Sequence, residues 1–502
     1  MESGGFESDF NTVLLGASAL LLVAVVAVRL ASRTGLPSLL IYLAVGLAVG
    51  EAGLGIQFSD YGLTAELGLL ALALILAEGG LTTRWSVVRP VLPFALVLAT
   101  LGVAISVAVV AGLAVLVLGA DTRTAVILGS VVASTDAAAV FSVLRRLPLQ
   151  SRISAVLEAE SGLNDAPVVV LVVLASSDAW GNTSVATGLA TVMVELIGGV
   201  VLGLVIGRLG RELLVRAALP TSGLYPLATV ALCLVAFAAG QALHLSGFLA
   251  VYVAALVLGN SPLPHRRAVL GFASSTALLA EAGLFVLLGL LVSPERLLSA
   301  VPAALFIGAV ATFLARPMAV ALSALPFRIP VKEQVFLSWA GLRGAVPIVI
   351  ATIPVTEGID GAERVLDVVF VLVVVYTLVT APTLPWVGRR LGVVDSSQAL
   401  DTEIEVASLE QLQADLLQLK VDPSSKLHGV YVEELRLPVG AHVTLIVRDG
   451  RSIVPDQHTY FVHGDQLLVV TTGAVRDQAE ARLRAVARGG KLARWKGDLG
   501  AG

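Results

Sequence analysis

Apolar residues run along the first 390 positions in blocks separated by short loops of Gly, Pro and Arg. Most of the blocks are close to the roughly 20 residues that a helix needs to cross the hydrocarbon core of a bilayer. They fall at 11–31, 37–50, 64–82, 91–119, 122–147, 151–177, 185–207, 223–240, 243–260, 269–292, 297–325, 331–354 and 362–386. That predicts about thirteen transmembrane helices. The second block is short enough to tilt or re-enter. After Arg390 the pattern turns to short alternating runs broken by turn residues: VTLIVRDG and QLLVVTT read as strands, Asp449-Gly450 and Gly464-Asp465 as turns. Ser408 to Leu419 reads as a short helix or an irregular strand, and 474–487 as a closing helix.

Two blocks have polar or punctuated middles. The fifth contains Ser134-Thr135-Asp136, and the twelfth contains Gly341-Leu-Arg343-Gly344-Ala-Val-Pro347. The twelfth comes seven spans after the fifth, which gives them opposite orientation and matching places in two inverted repeats, the sequence pointer to a midplane ion site in a secondary transporter. Pro347 removes a backbone donor and the glycines permit unwinding, so carbonyls there are free to face an ion.

The sixth block adds Glu158, Glu160, Ser161, Asn164 and Asp165. A carboxylate at membrane depth costs about 2.5–3.5 kcal/mol on insertion scales, so it is kept where it pairs or lines an ion path. Ser161 and Asp165, four residues apart, share a helix face. With Thr135 and Asp136 they form an oxygen cluster suited to a hard monovalent cation, and no Cys or clustered His favours a transition metal. Asp165 holds a proton or a cation in turn, because one charge compensates its burial. Asn164 beside it is neutral, which favours exchange of one proton for one cation. Arg343 stays protonated and needs a partner, for which Glu160 is the candidate. Glu281 on the tenth block and Arg316 on the eleventh form a second candidate pair. His244 stands near the outer end of the ninth.

Composition and charge sharpen this picture. The 502-residue chain is 57% hydrophobic and 14% charged with a mean hydropathy of +0.90, values of a polytopic membrane protein. A net charge of −4 gives no support to nucleic-acid binding. The single cysteine, Cys233, forms no intrachain disulfide, and the acidic N-terminal stretch MESGGFESDF lacks the basic region of a signal peptide. With the N-terminus outside, Arg29, Arg33, Arg84, Arg89, Arg145, Arg146, Arg152, Arg208, Arg211, Arg216, Arg266, Arg267, Arg328, Lys332, Arg389 and Arg390 all fall in cytoplasmic loops. Only Arg123, Arg296 and Arg364 fall outside. The C-terminal segment is then cytoplasmic.

The strings STDAAAVFSVLRR, EAESGLNDAPVVVL, EAGLFVLLGLLV and SWAGLRGAVPIVIAT resemble the motifs of CPA1-type monovalent cation/proton antiporters, the NhaP and NHE type, in order and spacing over residues 11–390. The resemblance implies a core with two crossed discontinuous helices, a separate dimerisation domain and alternating access. It implies that Asp165 is the shared ion and proton carrier, with Thr135, Asp136 and Ser161 contributing and Glu78 at a position where relatives often carry an acid. It marks Asn164-Asp165 as an electroneutral signature and Glu160 with Arg343 as a structural pair. GVYVEELRLPVGAHVTLIVRDGRSIVPDQHTYFVHGDQLLVV resembles the RCK C-terminal (TrkA-C) domain, a small α+β module that dimerises and binds regulatory ligands such as nucleotides or cyclic dinucleotides. The combination resembles the NhaP2-like potassium/proton antiporters. The expected division is an exchanger unit over 1–392, a linker over 393–402, a regulatory domain over 403–486 and a loose tail over 487–502. The expected partners are K+ or Na+, H+, the bilayer and a second copy of the chain, with no resident cofactor. Other classes are a ligand-gated cation channel, for which no TVGYG filter is present, a pump, for which no GxxxxGK[ST] is present, and a transport-dead sensor on the same body.

Overall fold

The computed structural model describes residues 38–51, 60–136, 149–181, 184–217, 219–394, 404–409 and 414–490, with isolated positions at 15–26, 53–58 and 140. The first predicted span lies largely outside these residues, as do Arg145, Arg146, most of the expected linker and the tail from 491. The chain divides into two compact units, the first ending at Val394 and the second beginning at Asp395.

The membrane unit contains α1 (Ser38–Val49), α2 (Tyr61–Thr82), α3 (Trp85–Val88), α4 (Leu92–Leu118), α5 (Thr122–Ala133), α6 (Ser151–Ser176), α7 (Val185–Arg216), α8 (Leu224–Ala242), α9 (Gly247–Gly259), α10 (Arg266–Leu290), α11 (Glu295–Phe327), α12 (Val331–Trp339), α13 (Ala345–Ile350), α14 (Ile353–Thr356) and α15 (Ala362–Leu391). Among the described residues eight of these, α2, α4, α6, α7, α8, α10, α11 and α15, are long and apolar enough to cross a membrane. Helix starts sit where polar caps occur: Asp60, Asp121 and Ser184 accept from the backbone N–H three residues on, at 2.9, 3.0 and 3.1 Å.

Lipid tails offer no hydrophobic contrast, so these helices associate through close packing of small residues. Gly199, Gly203 and Gly207 form a row on α7 against Ser246, Ala250 and Ala254 at the start and middle of α9, and a Cβ at any of them would overlap that backbone or its side chains. Gly46 of α1 and Gly289 of α10 meet the same way, each against the other's helix backbone.

Two helices are broken. The α5 helix stops at Ala133 and the chain runs extended from Ser134 (φ −64°, ψ 141°). The α12 helix stops at Trp339 and α13 begins only at Ala345. Pro347 lies in the first turn of α13, where a missing N–H leaves no helical bond unmade. In addition α4 and α11 each contain a π-helical turn, Leu98–Gly102 and Ala311–Ala315, a distortion that recurs at functional positions.

The second unit is a five-stranded antiparallel sheet of β1 (Ile404–Leu409), β2 (Ala414–Lys420), β3 (Ala441–Arg448), β4 (Arg451–Ile453) and β5 (Gln466–Thr472), in the order β1-β2-β5-β3-β4, with α16 (Arg476–Gly489). Within the segment read as a helix or irregular strand, the described residues belong to β1 and β2, which pair antiparallel. Asp449 and Gly450, at φ 50° and 75°, make the two-residue turn between β3 and β4 that matches strand twist. Leu417, Leu419, Ile446, Phe461, Leu467 and Val469 pack with Leu483 and Val486 of α16 as the core. Asp465, fully buried, accepts a bidentate pair of bonds from Arg448 at 2.8 Å each and another from the Val462 N–H. That pairing holds the Arg448 guanidinium firmly protonated, above its ordinary value.

Candidate functional site

The two broken segments meet. The Asp136 N–H donates to the Leu342 carbonyl at 2.7 Å, and Arg343 Nε donates to the Val132 carbonyl at 2.9 Å. Each interruption thereby satisfies backbone groups that the other has freed, which makes unwound chain tolerable at membrane depth. Arg343 stands at the carbonyl end of α5, where the helix dipole favours a cation. Its Nη1 also donates to Thr312 Oγ1 at 3.3 Å, in the π turn of α11. The Asp136 carboxylate packs against Gly344, so closely that a Cβ there would overlap it.

From α6, three side chains point into this crossing. Asp165 is 5% exposed and its Oδ1 accepts from Ser134 Oγ at 2.6 Å. Asn164, 1% exposed, donates from Nδ2 to Thr135 Oγ1 at 2.7 Å, and Thr135 Oγ1 in turn donates to Glu160 Oε1 at 3.3 Å. Glu160 carries a bidentate pair with Arg316 of α11: Nη1 bonds Oε1, and Nη2 bonds Oε2 at 2.8 Å. Arg316 also donates to the Leu337 carbonyl of α12. An unbroken chain therefore runs from Arg316 through Glu160 and Thr135 to Asn164, alongside the separate Ser134–Asp165 contact.

The pairing expected of Glu160 with Arg343 is corrected here: Glu160 takes Arg316. The physical reason is that Arg343, in the break between α12 and α13, is already stabilised by the end of α5 and Thr312. Arg316, on a continuous helix, has the reach and the bidentate geometry. The expected pairing of Arg316 with Glu281 falls with it. Glu281 is half-buried on α10. Glu78 is bonded to α10 instead of the crossing, its carboxylate accepting from Ser274 Oγ at 3.0 Å. Ser161 is half-buried on the same helix as Asp165, and the hydroxyl on the Asp165 carboxylate is that of Ser134.

A sequence profile of the sodium/hydrogen exchanger transmembrane family matches residues 19–390. The chain belongs to the sodium/hydrogen exchanger family. It is a multi-pass membrane protein and a cation/proton antiporter. A TrkA-C domain profile matches residues 416–484, over the second unit. The chain is 35% identical over 473 residues to the K(+)/H(+) antiporter NhaP of Alkalimonas amylolytica, covering 92% of this chain and 81% of that protein. It is 33% identical over 468 residues to the K(+)/H(+) antiporter NhaP2 of Shewanella sp. strain MR-4, with the same coverage. Among solved structures it resembles the sodium proton antiporter MjNhaP1 of Methanocaldococcus jannaschii, with a TM-score of 0.68 and 21% identity over 76% of this chain and 99% of that one.

Four features of the exchanger's crossing were not read from the sequence. Ser134 was noted in the interruption but not placed on Asp165. Thr312 had no signal beyond its place four residues before Arg316. The role of Arg316 had a partial signal in the intramembrane Arg-Pro pair. Arg123, read only as a charge at an outer loop, donates to the carbonyls of Ala175, Ser176 and Ser177 at 2.7–2.9 Å. It thereby caps the end of α6 and holds that helix beside α5. The crowding at Gly344 has a direct consequence. Gly344→Ala is expected to displace Asp136 and remove most exchange activity, whereas Gly271→Ala, facing open space on α10, leaves it intact; initial rates in proteoliposomes check both.

Proposed function

We propose that this exchanger moves one monovalent cation, physiologically potassium, against one proton, with Asp165 as the carboxylate that both use in turn. The observation that carries the reading is the pair Asn164-Asp165 in the crossing. Asp165 is buried and accepts from the Ser134 hydroxyl, and its neighbour is an amide already committed to Thr135. One titrating group whose charge is compensated by either H+ or a cation couples the two fluxes by competition and moves no net charge. Oxygens of Asp165, Ser134, Thr135, Asp136 and Ser161 make up the hard-ligand set for the cation, an assignment drawn from their proximity and chemistry. Potassium is supported by the two relatives called K(+)/H(+) antiporters. The sodium proton antiporter of similar fold keeps sodium as the second substrate to be measured.

In the same reading the N-terminus is outside and the second unit cytoplasmic, because that orientation puts nearly all loop arginines on the inner side. Residues 1–392 form the exchanger, 403–486 a regulatory domain that takes a small ligand such as a nucleotide or cyclic dinucleotide, and the active protein is a homodimer.

Proteoliposomes with a preset pH gradient test the reading. K+ added outside dissipates the gradient, and clamping the voltage leaves the rate unchanged. A rate that follows the clamped voltage removes the one-to-one stoichiometry, and dissipation by Na+ but not K+ reverses the ion assignment. Truncation after Val394 is expected to leave exchange in place and shift its dependence on pH or ligand; loss of exchange in a folded truncation makes the second unit obligatory.

A further inference from the structure

Away from the crossing, a cleft of about 760 Å³ opens where α2 and α9 end and α4 begins, lined by Trp85, Ser86, Arg89, Pro90 and Asn260. Its walls are fixed. Asn260 Oδ1 accepts from the Trp85 backbone N–H at 2.8 Å, and Nδ2 donates to the carbonyls of Thr83 and Leu256 at 2.9 and 2.8 Å. One amide thus clamps the turn after α2 to the end of α9. Gly259 presses on the Leu81 backbone just beneath. Beside Asn260, Arg266 donates through Nε and Nη2 to the Gly259 carbonyl at 3.2 and 3.0 Å, which holds another guanidinium in place at the end of α9.

Among the described residues the cleft has no acidic lining. The exposed side chains of Arg84 and Arg89 have no ion-pair or hydrogen-bond partner among the described residues. Trp85 is 40% exposed and Val87 38%. An exposed indole at the level where apolar spans stop is an interfacial anchor, and unpaired guanidiniums beside it match phosphate oxygens in fork geometry. The cleft therefore offers cationic and apolar surface together. A soluble anion satisfies only the first, whereas a lipid headgroup with its glycerol backbone satisfies both.

We propose that this cleft is a binding site for an anionic phospholipid, with its phosphate on Arg89, its glycerol region against Trp85 and Pro90, and the exposed charge of Arg84, next to Trp85 in the chain, adding to the attraction. On the orientation proposed above it belongs to the cytoplasmic leaflet. Bound there, the lipid ties the ends of α2 and α9 to the bilayer surface.

The test is titration of the detergent-purified full-length protein with phosphatidylglycerol, read by native mass spectrometry. Phosphatidylcholine and inorganic phosphate are run in parallel. Arg84→Gln/Arg89→Gln is expected to weaken phosphatidylglycerol binding about twenty-five-fold, from about fivefold for each basic residue lost at an anionic surface. Trp85→Ala is expected to weaken it as well, and it carries the test alone should the double variant fail to fold. Arg208→Gln/Arg211→Gln, which removes two arginines of the same side outside the cleft, is expected to leave binding within about twofold, because those charges lie outside the site. Equal loss in the two double variants would overturn the proposal in favour of general surface attraction. So would equal binding of phosphatidylcholine, or displacement by inorganic phosphate that ignores Trp85.

Discussion

Asp165→Asn is expected to reduce exchange in proteoliposomes to the level of empty vesicles, for every cation, while the protein remains folded. The amide has the shape of the carboxyl, and its oxygen still accepts from Ser134 Oγ, which now donates 2.6 Å away to Asp165 Oδ1. What is lost is the group that alternates between proton and cation. Buried as Asp165 is, a neutral amide gives the cation no countercharge and the proton no site. Retention of pH-gradient dissipation by a folded variant would remove Asp165 as carrier and with it the competition mechanism. The control is thermal stability: a midpoint close to that of the parent protein shows that the loss is chemical.

The second large effect concerns Glu160. Because it is paired with Arg316 in a bidentate, buried contact, Glu160→Gln leaves a guanidinium uncompensated. The expected cost is about 3–5 kcal/mol of stability. Arg316→Gln should cost a similar amount by stranding the carboxylate. Arg343→Gln removes hydrogen bonds to Val132 and Thr312 and is expected to cost less, about 1.5–3 kcal/mol. A double-mutant cycle separates the pairings: coupling between 160 and 316 is expected to be large, and coupling between 160 and 343 within the roughly 0.5 kcal/mol of independent sites. The reverse pattern would reinstate the pairing read from the sequence. Glu160 variants are also expected to slow exchange beyond their effect on folding, since Glu160 holds Thr135 and through it Asn164 beside the carrier.

Spans were legible because burial in lipid requires long apolar runs whatever the tertiary arrangement, and the run at 362–386 is recovered inside α15. The interruptions read at 134–136 and 341–347 were legible because a bilayer tolerates polar and Gly-rich chain only where protein covers it; the second falls in the structure between Trp339 and Ala345. In the second unit VTLIVRDG and QLLVVTT appear as β3 and β5. The segment 408–419 stayed open between a short helix and an irregular strand, because Leu, Gln and Asp in SLEQLQADLLQL carry no strand preference; the ladder of β2 with β1 and β5 decides for strand over local propensity.

What the sequence determined by itself is the membrane class, the rough limits of the long apolar helices, the two places where helices break, and the carboxylates that sit beside them. Each of these is a local cost, paid or avoided within a few residues, and so it is written in composition and spacing. Only the tertiary structure decided which charges meet. The sequence reading paired Glu160 with Arg343 and Arg316 with Glu281, and the outcome depended on the reach of α11, which brings Arg316 to Glu160, against a guanidinium at 343 already held by the end of α5. Ion pairing between distant segments is set by which helix faces pack together, and one-dimensional spacing carries no record of that.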